Sequence, residues 1–157
     1  MFAVLFSSVT FAQKVIESPR DSVSATIKGA KISINYGSPS VKGRKVFGEL
    51  EKYGKVWRAG ANDATVFTTS KDIKVEGKAL PAGTYGLFAI PTEGAWTIIF
   101  NKVAKQWGAY KYDESKDALR VTVKPVASKM SERLVYKLNA KGFTLNWDKL
   151  SVPVSIK

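Results

Sequence analysis

Between residues 53 and 63 the chain reads YGKVWRAGAND, and PSVKGRKVFG precedes it over residues 39–48. Trp57 offers a flat face to a sugar ring or an aromatic group. Arg44 and Arg58 can each give paired hydrogen bonds to a carboxylate or phosphate, while Asn62 both donates and accepts. Asp63 and, further along, Trp107 complete the candidate set. Together these side chains suit a concave site for a small polar or anionic ligand. The same span also reads as a structural crossover in which Trp57 caps a sheet and the arginines satisfy loop carbonyls. Loops longer than about 12–15 residues tend to be functional or disordered, and this one is too apolar for disorder.

Catalysis is constrained more sharply. The chain has no histidine and no cysteine, which removes Ser-His-Asp and Cys-His nucleophilic chemistry and the commonest ligands of zinc, copper and haem. Carboxylates remain: Glu49, Glu51, Asp63, Asp113, Glu114 and Asp117 all fall between β-rich runs, and a correctly spaced pair can run glycoside hydrolysis unaided. No calcium-loop spacing is present. GKVWRAGAN lacks the Gly-Lys-Ser/Thr ending and the strand-to-helix setting of a phosphate loop. No motif therefore implies a metal or a cofactor.

The elements that must position these residues are strands. Period-two runs occur at 22–28, 31–36, 64–70, 73–76, 83–90, 96–101, 118–124, 133–138, 143–147 and 152–156, each bounded by Gly, Pro, Asn or Asp. In KISINY, Ile32, Ile34 and Tyr36 share one side; in GTYGLFAI, Tyr85, Leu87 and Ala89 do. Leu80-Pro81-Ala82-Gly83 reads as a strand-entry turn and Pro91-Thr92-Glu93-Gly94 as a hairpin connection. Residues 106–112 read as a further strand, with Trp107 opposite in sense to Tyr110 and Tyr112, or as an extension of the candidate pocket. Only short helical turns are expected, at 44–53 and 113–119. The pattern predicts an all-β, single-domain β-sandwich, jelly-roll-like, of about nine to ten mostly antiparallel strands with one long loop.

Several separated motifs carry a family likeness. Ser18-Pro19-Arg20, Pro39-Ser40-Val41-Lys42-Gly43-Arg44, Tyr53-Gly54-Lys55-Val56-Trp57-Arg58, Gly60-Ala61-Asn62, Leu80-Pro81-Ala82-Gly83-Thr84-Tyr85 and Trp96-Thr97-Ile98-Ile99-Phe100-Asn101-Lys102 occur in that order. In these the chain resembles the DUF2911 family, a domain of unknown function found in exported bacterial proteins. The resemblance implies export but supplies no activity and no catalytic residues. Ser38 stands where such proteins often have arginine, and Asp63 where they often have glutamate.

Length and charge bound the rest. At 157 residues, 45% of them hydrophobic, the chain can bury one substantial core. Residues 1–12, MFAVLFSSVTFA, are apolar and end in Thr10-Phe11-Ala12, like the latter half of a secretory signal without its basic start; an N-terminal strand is the other reading. A membrane-spanning helix needs about 20 apolar residues, so no span is expected in the mature domain over 18–157. The net charge of +12 is spread along the chain and most basic residues are lysines, with no basic run longer than two. That pattern lacks a nucleic-acid footprint and suits loose attraction to acidic envelope polymers. The expectation is an exported periplasmic or extracellular binding module, for a glycan or an anionic envelope component, acting through Arg44, Trp57, Arg58, Asn62, Asp63 and Trp107. A carboxylate-dependent hydrolase or lyase in the same pocket and a purely structural domain are the alternatives.

Overall fold

The computed structural model describes residues 17–157; the signal-like segment at 1–12 lies outside the described residues. Ten strands form: β1 (Arg20–Ile27), β2 (Ala30–Gly37), β3 (Thr65–Thr69), β4 (Ile73–Val75), β5 (Lys78–Leu80), β6 (Gly83–Ile90), β7 (Trp96–Asn101), β8 (Asp117–Val123), β9 (Val126–Asn139) and β10 (Gly142–Ser155). Six make one antiparallel sheet in the order β1-β2-β3-β6-β7-β8, β9 and β10 form a long hairpin, and β4 and β5 a short one. The expected all-β sandwich of about nine to ten mostly antiparallel strands is what the chain adopts. The one helical element among the described residues is a 3-10 turn at Glu114–Lys116, capped by the Asp113 carboxylate accepting from the Ser115 amide.

Alternation decides which side of the six-stranded sheet is buried. Ile34, Phe67 and Tyr85 face one another across β2, β3 and β6, and Leu87 and Phe100 continue the layer into β7. Against this face lies the β9–β10 hairpin, through Leu134, Tyr136, Phe143, Leu145 and Trp147. The layers meet at edge-on aromatic contacts such as Tyr36–Tyr136, whose ring centres are 4.8 Å apart. Each fully buried Leu, Ile or Phe contributes roughly 1.5–3 kcal/mol, so this shared layer is the main source of stability.

The opposite face is covered in part by irregular chain. Phe88, Ile99 and Ala64 form a second small cluster, shielded by Tyr112, Ala109 and Val56. A polar latch holds that cover down. The Tyr112 hydroxyl lies 2.6 and 2.7 Å from the two Asp117 carboxylate oxygens, Arg120 Nε donates to Asp117 at 2.7 Å, and Asn101 Nδ2 donates to Asp117 at 2.9 Å. Burial and the Asp117 contact push the Tyr112 hydroxyl up to about 12, so it stays protonated and able to donate.

Two expectations need correction. Residues 106–112 are not a strand: Trp107 makes a single bridge to Asp63, Gly108 takes a left-handed φ of 62°, and the Tyr112 amide closes a turn on the Ala109 carbonyl. Glycine in that conformation breaks the alternation that the aromatic spacing suggested. The runs at 143–147 and 152–156 are one bent strand, β10, with register shifts between Asn146 and Leu150 and a left-handed Asp148; bulges of this kind bend a strand without ending it.

Candidate functional site

The chain from Ser38 to Ala64 crosses from β2 to β3, and it is sewn down on three sides. Along β9, the Leu134 amide donates to the Pro39 carbonyl (2.9 Å), the Val41 amide to the Glu132 carbonyl (2.8 Å), and Ser38 Oγ to the Leu134 carbonyl (2.7 Å). On β6, Trp57 exchanges both backbone hydrogen bonds with Ala89, at 2.8 and 2.9 Å. At the end of β2, the Ala61 amide donates to the Gly37 carbonyl. Here the backbones come so close that a Cβ on Gly37 would sit 2.1 Å from the Ala61 carbonyl oxygen. Asn62 follows with a φ of 63°, a left-handed conformation asparagine tolerates better than most residues. A Cβ on Gly60, the glycine of GAN, would likewise sit 2.8 Å from Thr65 Oγ1 and 3.0 Å from the Gly37 carbonyl oxygen, so the glycine and asparagine of GAN suit this approach without any ligand.

Trp57 lies within the core rather than in an open site. It is 4% exposed, stacks on Trp147 with ring centres 5.8 Å apart, meets Phe47 and Trp96 edge-on, and donates its indole N–H to the Gly60 carbonyl. Arg44 is exposed, but its Nε and one Nη donate to the Val41 and Ser40 carbonyls. Asn62 Nδ2 reaches the Ser18 carbonyl at 3.3 Å. Asp63 is exposed, its carbonyl held by Arg20, and Trp107 stands 60% exposed across the bridge from it.

Three candidates converge. Arg44, Arg58 and Asn62 line one cavity of about 200 Å³, together with Glu51, Lys42 and Trp147; Trp57, Asp63 and Trp107 are outside it. Two buried donors on residues of that lining have no acceptor among the described residues: Arg58 Nε and Trp147 Nε1, the latter on a fully buried residue. Buried polar groups are nearly always paired, because leaving one unpaired costs about 1–3 kcal/mol. Glu51 adds the opposite charge. Burial pushes its carboxyl up to about 7, against the pull of Arg58 and then Arg44, and no ion pair among the described residues engages it. A second cavity of about 220 Å³, on the far side of Glu51 and Arg58, is bordered by Val56, Trp57, Ala109 and Tyr110.

A larger concavity, about 880 Å³, is elsewhere, at the far ends of β1 and β9, bounded by Lys28, Lys124, Lys141 and Lys157 over Phe143 and Ile156. None of the orphaned buried polar atoms belongs to its walls. Glu76, its carboxylate, already accepts from the Ser155 amide at 2.7 Å. Size alone favours that end, whereas unsatisfied chemistry favours the cavity at Arg58.

Arg44, Arg58 and Asn62, expected to share one pocket, line the same cavity; Trp147 was not among the expected residues, and Tyr110 entered only through the 106–112 segment as a possible extension of the pocket. Trp147 lies 89 positions beyond Arg58 on an alternating strand, where its burial gives no hint that it borders a polar cavity. Glu51 was visible only as one loop carboxylate among six.

Fold and cavity define a class: a β-sandwich whose long β2–β3 crossover borders a small hollow lined by Lys42, Arg44 and Arg58 and by the carboxylates of Glu17 and Glu51, the latter raised in pKa. The chain belongs to the DUF2911 family, proteins of unknown function, matching it over residues 18–156. No curated protein and no solved structure matches it significantly.

Proposed function

We propose that the protein is a non-catalytic binding module that takes a small carboxylate-bearing ligand into the cavity at Arg58. The supporting observation is the pair of orphaned buried donors, Arg58 Nε and Trp147 Nε1, lining one hollow. A carboxylate has two acceptor oxygens and would satisfy both while its charge is countered by Arg58 and Arg44, Lys42 being paired with Glu17 at 3.5 Å. Glu51 narrows the choice. A second negative group in the wall disfavours a doubly charged phosphate and favours a ligand that also carries hydroxyl donors, such as a sugar acid. Calorimetric titration with D-galacturonate tests the reading: saturable binding by the wild type, lost or weakened at least tenfold in Arg58→Ala, supports it, and heats that never saturate overturn it.

A second reading rests on Glu51. A carboxyl group pushed up to about 7 beside two guanidiniums is poised to move protons at neutral pH, so a lyase or hydrolase acting on the bound acid is the alternative. Accumulation of unsaturated or shortened products from acidic oligosaccharides, abolished in Glu51→Gln, would favour it over simple binding. We also propose that the module works outside the cytoplasm. The apolar 1–12 segment and its small-residue ending support this, and N-terminal sequencing of the protein recovered from the periplasm or medium tests it.

A further inference from the structure

We propose that the site is bipartite and binds an acidic oligosaccharide, one sugar acid in the cavity at Arg58 and the neighbouring sugar against the ring of Tyr110; the proposal rests on the carboxylate reading above. Two cavities of similar size, about 200 and about 220 Å³, share Glu51 and Arg58 as a common wall. The first is polar and holds the orphaned donors. Its neighbour adds Val56, Trp57, Ala109 and Tyr110 to the shared charged wall, and so offers an apolar side beside those charges. A ligand long enough to use both must be anionic at one unit and present an apolar face at the next. A pyranose chain has that character, since its ring C–H groups stack on aromatic faces while its hydroxyls and carboxylate seek polar partners.

Tyr110 is positioned for this. It is 83% exposed, the most exposed of the large apolar side chains. The left-handed turn at Gly108 brings ring and guanidinium to one place. A Cβ on that residue would lie 3.0 Å from Tyr110 Cε2 and 3.1 Å from Arg58 Nη1. Among the described residues, five of the seven exposed large apolar side chains, Leu50, Tyr53, Val103, Trp107 and Tyr110, belong to the crossover and the 102–112 segment, and Leu50 and Tyr110 line the two cavities themselves; Val126 and Met130 lie apart on β9. Exposed apolar side chains gathered beside a polar hollow mark an interaction surface, whereas scattered ones need no explanation. The latch of Tyr112 on Asp117 fixes the segment that carries Tyr110, so the ring is presented from an anchored turn.

The test compares lengths and charges. Isothermal titration uses D-galacturonate, D-glucuronate and D-mannuronate, their trimers, and neutral cellotriose, against wild type, Arg58→Ala and Tyr110→Ala. Expected is a trimer that binds roughly 3- to 10-fold more tightly than its monomer, the gain that one aromatic contact supplies. Tyr110→Ala should erase that gain, so that trimer and monomer bind alike, Arg58→Ala should weaken monomer and trimer alike, and cellotriose should not bind. Equal affinity for monomer and trimer overturns the bipartite site while leaving the cavity reading intact. A trimer advantage that survives in Tyr110→Ala overturns the role of Tyr110, and hence the proposal. Absence of binding by every acid overturns this inference and the proposed function together.

Discussion

Glu51 and Arg58 sit on opposite sides of an electrostatic balance. Burial favours the neutral acid, Arg58 and Arg44 favour the carboxylate, and burial prevails to give a value of about 7. Because the folded value is above the ordinary 4.5, the native state holds the proton more tightly than the unfolded chain. Glu51 therefore imposes no penalty below pH 4.5, and stability falls as pH rises through 7. Glu51→Gln is expected to melt a few degrees higher than wild type at pH 8, a difference of about 1–3 kcal/mol, and to converge with it below pH 4.5; thermal scans across pH check this. Trp57 makes the contrasting case. Truncating this buried ring to alanine is expected to cost about 3–5 kcal/mol, read from urea midpoints, since it opens the centre of a four-ring cluster. From sequence, Trp57 and Arg58 look like one ligand-facing pair. Adjacent residues on an extended segment point to opposite sides, and only the partners, Trp147 for one and the cavity for the other, decide which side is the core.

At the scale of elements, the crossover depends on contact between two backbones. A methyl at Gly37 would fall 2.1 Å from a carbonyl oxygen and one at Gly60 2.8 Å from Thr65 Oγ1, so neither position can take a side chain without moving the loop. Gly37→Ala is expected to destabilise the fold by more than 1 kcal/mol and to abolish carboxylate binding, measured by urea unfolding and titration on the same sample. The latch makes a separate prediction. Asp117→Ala removes the acceptor of Tyr112, Asn101 and Arg120, and should speed amide exchange over 102–116 while leaving β1 to β3 protected. Most strands were legible because alternation is a local property: β6 and β7 were expected at their observed bounds, and β2 within a residue. β9 was expected at 133–138 and extends from 126 to 139. Its exposed first half carries no apolar alternation, and its length comes from pairing with a bent β10 that no local pattern reveals.

For the whole molecule, the charge of +12 and the cavity make different contributions to binding. Dispersed surface lysines attract any acidic polymer weakly, and that attraction fades beyond about 10 Å at 0.1 M salt. Contacts made inside the hollow are screened much less. Binding of acidic oligosaccharides should thus lose its nonspecific part between 0.05 and ~0.5 M salt and retain a component that Arg58→Ala removes. The sandwich class was readable from composition and period because every strand reports its own buried side. The cavity was not, since it is assembled from the crossover, the segment at Glu17 and Ser18 and Trp147 of β10, three segments that only the closed fold brings together.

The central claim is that the orphaned donors at the cavity wall receive a carboxylate. Nitrogen-resolved NMR of the Trp147 indole N–H and the Arg58 Nε–H during titration with D-galacturonate reads those two atoms directly. Both resonances are predicted to move together along one saturating curve, while the indole N–H of Trp57, already bonded to the Gly60 carbonyl, stays in place. If the Trp147 and Arg58 signals remain still as the acid reaches millimolar excess, the cavity is not its binding site.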